Sequence, residues 1–253
     1  MNYFKSTSLF LIFISTQGVA QEKTLYFQAK DAGPSIYMTP TSVNASSLGI
    51  IPRLFDEVIT TLDITVVYQN APSRRVEEYL NDGQLDGSIM NKEWMKNLDD
   101  VIFTIPFINY QVFIYSLTPI GKNKTFKTIL SGKRICTHRG YSYSEFSELS
   151  TLFDNNTSFR VDSDHEPLMI KMLLKERCDI ALIDEHSADW LFKTLQINKK
   201  IFKYPTPLIS TNLTLAFNKK WYILVEKLND HIRALNASSK MDEIINNAKY
   251  GTN

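Results

Sequence analysis

The chain has 253 residues, with 28 Lys and Arg against 27 Asp and Glu, for a net charge of +1. That balance gives no support to a nucleic-acid surface or an acidic partner. Apolar residues at 43% and charged residues at 22% are ordinary for a folded globular protein, and the length suits one large domain or two small ones.

The N-terminus reads as an export signal. Lys5 precedes a short apolar core, SLFLIFI, and STQGVA ends in the small-x-small pair Gly18 and Ala20. This is the pattern of a cleaved signal peptide over residues 1–20, and the apolar run is well short of the ~20 residues of a membrane span. A soluble protein of the Gram-negative periplasm is expected. Export permits a disulfide, and Cys136 and Cys178 are the two cysteines. Spacing alone leaves open whether they bond or stay as separate buried thiols.

Past the signal, TLYFQA (Thr24 to Ala29) reads as a strand. A polar loop runs on to Ser47, and GIIPRLFDEVITTL (Gly49 to Leu62) has helical spacing of apolar residues. ITVVY (Ile64 to Tyr68) is β-branched, Pro72 opens a helix that Gly83 stops, and Leu85 to Met90 is the next strand. This alternation is that of an α/β lobe with a parallel sheet. The second half repeats it. Strands are expected at Lys133 to His138, Ser158 to Val161, Asp179 to Ile183 and Lys200 to Tyr204. Helices are expected at Ser142 to Phe153, Glu166 to Glu176 and Glu185 to Leu195.

Two internal repeats tie the halves together. LNDGQLDGSIM (Leu80 to Met90) lies over LLKERCDIALI (Leu173 to Ile183), which places Asp86 on Asp179. Each is a helix end running into an Asp and then an apolar strand, the last joint of its own lobe. FTIPFINYQVFIYS (Phe103 to Ser116) lies over YPTPLISTNLTLAF (Tyr204 to Phe217), with Pro106 on Pro207 and Val112 on Leu213. Proline favours extended chain in the residue before it, so both stretches read as crossings between lobes. The resulting layout is lobe 1 over 21–108, lobe 2 over 109–206, and a return strand with C-terminal helices completing lobe 1 over 207–253. Two hinge strands leave a central cleft that can close on a ligand. Ligands of parallel sheets bind at strand C-termini, so the residues after Met90, His138 and Ile183 are expected to face that cleft.

The pieces DGQLDGSIM with IFTIPF, LSGKRICTHRGYSYSEF, ERCDIALIDEHSA and LTLAFNKK, in this order and spacing, resemble the extracellular solute-binding proteins of family 3, periplasmic receptors for amino acids and related solutes. The resemblance implies a two-lobed type II periplasmic binding protein fold. It places Asp184 where the family takes the ligand ammonium, and the turn of Arg139, Gly140, Tyr141 and Ser142 where the family meets the ligand carboxylate. The chain departs from the family pattern in two places. The loop Asn91 to Asp100 has no Arg to grip a carboxylate, leaving Lys92 and Lys96 as cations, and no acid follows Gly49. A Lys cannot make the bidentate fork of Arg.

Candidate ligand-binding residues are therefore Asp31, Tyr37, Asn91, Lys92, Trp94, Arg139, Tyr141, Ser142, Tyr143 and Asp184. Asp184 reads equally as an amine acceptor or as the N-cap of the following helix. Trp94 reads as a stacking residue or a loop anchor. Arg139 is a candidate replacement, from lobe 2, for the missing lobe 1 Arg. The histidines show no metal-ligand spacing and no nucleotide or hydrolase motif occurs, so neither metal nor cofactor is expected. The expected function is that of a monomeric, non-enzymatic periplasmic receptor. It would trap a small polar or zwitterionic solute for an inner-membrane ABC permease or a membrane sensor. The alternatives are a degenerate member that binds a partner protein and, further off, a dehydratase-like enzyme.

Overall fold

A computed structural model of the protein describes residues 23–29, 36–38, 49–121, 124–141, 143 and 146–250. The expected signal peptide, Asp31 and Ser142 lie outside these residues.

The chain builds two sheets. The first has the order β2-β1-β3-β11-β4, from β1 (Lys23–Ala29), β2 (Ile64–Asn70), β3 (Gly87–Ile89), β4 (Val101–Phe103) and β11 (Leu215–Asn218). β1 is parallel to β2 and β3, while β11 runs antiparallel between β3 and β4. The second sheet has the order β10-β5-β8-β6-β7, with β9 pairing β5. It comprises β5 (Ile108–Ser116), β6 (Arg134–His138), β7 (Phe159–Ser163), β8 (Ile180–Asp184), β9 (Phe202–Lys203) and β10 (Ile209–Leu213). Here β6 is parallel to β7 and β8, and β5 is the antiparallel insert. Each lobe is thus a parallel three-strand unit with one strand from the opposite direction of travel along the chain.

Helices cover both faces of each sheet. In α1 (Ile50–Thr61), Ile50, Ile51, Leu54, Phe55 and Val58 recur at helical spacing and are buried, and Pro52 falls in the first turn, where its missing N–H costs nothing. They pack with Phe27 of β1, Phe217 of β11 and the buried side of α7 (Tyr222–Ala237). The rings of Phe27 and Phe55 meet edge to face at 5.1 Å. The opposite face of this sheet buries Val76 and Leu80 of α2 (Val76–Asn81) with Leu85 and Met95. In lobe 2, alternate residues of β5 go to opposite faces. Val112 and Ile114 join one apolar cluster, while Phe113 and Tyr115 join another with Cys136 and Ile183. A sheet buried on both faces explains why its strands read as continuous apolar runs.

The two expected crossings lie side by side. β5 and β10 are antiparallel, with Ile108 opposite Leu213 and Val112 opposite Ile209. The ladder continues on the lobe 1 side through Phe107 N–H to Leu213 O at 3.0 Å and Thr104 N–H to Leu215 O at 2.9 Å. Pro106 and Pro207 each lie two residues before a crossing strand, and backbone pairing continues on both sides of them. Cys136 of β6 and Cys178, just before β8, form a disulfide with Cα atoms 5.7 Å apart.

Some elements differ from the sequence reading. The helix expected from Ser142 starts later, as α4 (Ser147–Asp154). The intervening turn uses left-handed backbone at Gly140 and Tyr143, and the Tyr143 ring is buried with its hydroxyl accepting the His138 N–H at 2.9 Å. The last helix, α8 (Lys240–Tyr250), packs on α1, and it also reaches α6 (Glu185–Thr194) of lobe 2 through Lys249 and Asp189 at 3.0 Å.

Candidate functional site

Between the lobes lies a cavity of about 70 Å³, lined by Gln28, Tyr37, Met38, Ile89, Trp94, Tyr110, Tyr141, Glu166, Asp184 and Leu213. Gln28 and Ile89 sit at the C-terminal ends of β1 and β3, and Tyr141, Glu166 and Asp184 follow or end β6, β7 and β8. Tyr110 and Leu213 come from the hinge strands β5 and β10. The site is therefore assembled from the strand ends of both parallel units and floored by the hinge.

Tyr37 reaches the cleft because of Gly49. The first turn of α1 bonds to the segment 36–38, with Ile50 N–H to Ile36 O at 2.9 Å and Ile51 N–H to Tyr37 O at 3.0 Å. A Cβ on Gly49 would lie 2.7 Å from the Met38 N and the Tyr37 carbonyl, so only glycine lets the two backbones approach this closely. The Tyr37 hydroxyl then donates to Asp184 Oδ1 across the cleft at 2.9 Å, a buried bond between residues 147 positions apart.

Asp184 ends β8 and caps α6, accepting the Ser187 N–H at 3.0 Å on the same oxygen. Both sequence readings of this residue meet in one geometry: a cap that also borders the cavity. Only 4% of its surface is exposed. Burial raises its pKa, the Glu166 charge adds to that, and the bonds from Ser187 and Tyr37 oppose it. Burial likewise pushes the hydroxyls of Tyr37 and Tyr110 well above the ordinary tyrosine range, so both remain neutral donors. Glu166 is the first residue of α5 (Glu166–Leu174), with His138 Nε2 3.9 Å from its Oε1.

Aromatic rings supply part of the remaining wall. Trp94 meets Tyr110 edge to face at 6.3 Å, and Tyr141 stacks on His138 at 4.3 Å with an interplanar angle of 24°. Arg160 fixes the turn behind Tyr141 by donating to the carbonyls of His138 and Tyr141 at 3.2 and 2.9 Å.

Of the residues singled out from sequence, Tyr37, Trp94, Tyr141 and Asp184 share the main cavity, and Tyr143 borders an adjoining hollow with His138 and Glu166. Asn91 is buried behind the site. Its side chain bonds Thr211 Oγ1 at 3.2 Å and accepts the Thr214 N–H at 3.0 Å, which ties β3 to the hinge. Lys92 is exposed on a 3-10 turn and Arg139 is exposed and paired with Asp164 at 2.6 Å, so neither is among the lining residues. The proposed substitution of Arg139 for the lobe 1 Arg therefore has no support in the geometry. Because α4 starts at Ser147, the Arg139–Tyr141 turn is not a helix N-terminus either. Gln28, Met38, Ile89, Tyr110, Glu166 and Leu213 went unrecognised in the sequence. The strand-end rule, applied to β1 and β7 as well as β3, β6 and β8, would have found Gln28 and Glu166.

No family model and no curated protein matches the sequence. Solved structures do. A mutant of ArgBP from T. maritima aligns over 88% of this chain and 93% of its own, at 18% identity and a TM-score of 0.68. The fold is that of the two-lobed periplasmic binding proteins. A substrate-binding protein of an ABC uptake transporter from Streptococcus pneumoniae, with bound histidine, aligns over 90% of this chain and 92% of its own at 19% identity and a TM-score of 0.69. A histidine kinase sensor domain with similarity to periplasmic binding proteins covers 90% and 98% at 13% identity and a TM-score of 0.68. These neighbours are binding and sensor proteins; at such identities the likeness carries the architecture and no ligand.

Proposed function

We propose that the protein is a periplasmic solute receptor that closes two lobes around one small molecule, with no chemical conversion of it. The observation that carries this reading is the cavity itself. It is walled by both lobes, floored by both hinge strands and bridged by the Tyr37–Asp184 hydrogen bond. A ligand held there contacts both lobes at once, and so favours the closed state over the open one. The Cys136–Cys178 disulfide suits an oxidising compartment and supports export with the N-terminal signal pattern. The receptor would act as a monomer, handing its solute to an ABC permease or reporting it to a membrane sensor.

A thermal-shift screen of amino acids, opines, amines and organic acids tests the reading, since a ligand of the folded state raises the melting temperature. At least one class should give a saturable shift, and the hit should be recovered unchanged after incubation. Conversion of the hit would make the protein an enzyme. A blank screen with folded protein would favour a partner-binding role.

A further inference from the structure

The lining has a consistent electrical character. Among the described residues it contains two carboxylates, Asp184 and Glu166, and three aromatic residues besides Tyr37, namely Trp94, Tyr110 and Tyr141, but no Lys or Arg. Three described cations of the neighbouring loops and strands lie off this lining or are engaged elsewhere. Lys92 is exposed and off the cavity, Arg139 is paired with Asp164, and Arg160 donates to carbonyls and to Asp162 at 2.8 Å. The titratable groups around Asp184 are Tyr37, Tyr110, Tyr141 and Glu166, three hydroxyls and a second acid, with His138 Nε2 3.9 Å from the Glu166 carboxylate. Electron-rich rings and buried carboxylates attract the same kind of guest, since the ring quadrupole and the carboxylate charge both favour a cation.

We infer that the cleft is built for a small organic cation that carries no carboxylate, its charged nitrogen held among Trp94, Tyr110 and Tyr141 and balanced by Asp184 and Glu166. This rests on the receptor reading above and narrows its ligand to amines, guanidines or quaternary ammonium compounds. A zwitterionic amino acid would bring a carboxylate into a site that already holds two and has, among its described lining residues, no Lys or Arg to receive a third.

Paired probes test it by calorimetry on the full protein: agmatine against L-arginine, which differ by one carboxylate, and choline against dimethylbutanol, its uncharged carbon isostere. The inference expects agmatine or choline to bind, the isostere to bind at least about tenfold more weakly, and arginine no better than agmatine. A response to agmatine alone would identify a hydrogen-bonding cation, and a response to choline alone a quaternary one. Glu166→Gln should lose about tenfold in affinity for the cation, with Asp184→Asn as the second variant because Asn keeps the helix cap. Arginine or another zwitterion binding while agmatine and choline do not would overturn the inference and leave the receptor reading standing. Equal affinity for choline and its isostere, or unchanged affinity in both variants, would also overturn it. If the folded protein binds no solute of any class, the receptor reading itself falls.

Discussion

The two lobes end their parallel units with the same device, and the details differ in a way that separates architecture from function. In lobe 1, Asp86 N–H donates to Tyr26 O and Asp86 Oδ2 accepts the Tyr26 N–H, both at 2.8 Å. In lobe 2, Asp179 does the same with Arg134, again at 2.8 Å for both bonds. An aspartate at this joint pairs the backbone of the first strand where the third begins, which is why the sequence repeats itself there. Five residues later the lobes part. Asn91 is buried and spends its amide on the hinge, while the corresponding Asp184 is a buried carboxyl group beside the cavity. One position has become a fastener and the other part of the site. The shared Asp pairs the strand backbones; the difference between Asn and Asp puts an acid beside the cavity on the lobe 2 side.

The largest expected effect distinguishes the lobes by covalent chemistry. Cys178 aligns with Leu85, so only lobe 2 is cross-linked at its joint. Replacing both cysteines by Ala should cost about 3 kcal/mol by chemical denaturation. In hydrogen exchange, lobe 2 strands should lose more protection than lobe 1 strands; equal loss would mean that the lobes unfold as one unit. Gly49→Ala should cost about 2 kcal/mol, since the added methyl meets backbone that cannot yield without moving Tyr37. It should also weaken ligand binding, and a stable variant with unchanged affinity would show that Tyr37 is not placed by this contact.

The paired joints should differ in energy although their backbone bonds match. Asp86 is 2% exposed and also meets Lys220 at 2.6 Å, so Asp86→Ala should lose about 2 kcal/mol. Asp179→Ala should lose less than about 1 kcal/mol, because water reaches its oxygens. Equal losses would mean that burial does not set the value of this joint.

The smallest effect is one of sign. The Arg134 side chain holds the Asp179 carboxyl below its ordinary value, so its contribution to stability is present above the unfolded carboxylate range and fades as pH falls through the lowered value. Burial places Asp184 above its ordinary value, so its contribution is full below the unfolded range and is lost as pH rises through the raised one. Asp184→Asn should therefore remove a stability term that favours acid, and Asp179→Asn one that favours neutral pH. Both are read from melting temperature against pH in wild type and each variant. Identical profiles in the two variants would contradict the comparison.

Much of the architecture was legible because it rests on periodicity and repetition. The Asp86 and Asp179 repeat and the two proline-led crossings depend on local patterns that any sheet joint or hinge must show. The site was legible where a residue ends a parallel strand or follows one, as with Asp184 and Tyr141. Glu166, at the start of a helix just after β7, was within reach of the same rule, whereas Tyr110 was not, because the crossing was legible but not which of its residues face the cleft. Arg139 was singled out for its charge, and the geometry sets its exposed side chain against Asp164, off the cavity lining. The bend after β6 depended on a left-handed tyrosine, a conformation that no local rule assigns to that residue type.

The central claim is that one guest touches both lobes across the cleft. Hydrogen exchange with and without a saturating ligand tests it directly, followed in the peptides that carry Ile36–Met38 of lobe 1 and Ile180–Ser187 of lobe 2. The account predicts that both gain protection together at the same ligand concentration. Protection confined to one lobe, or appearing only at a surface remote from both peptides, would contradict it.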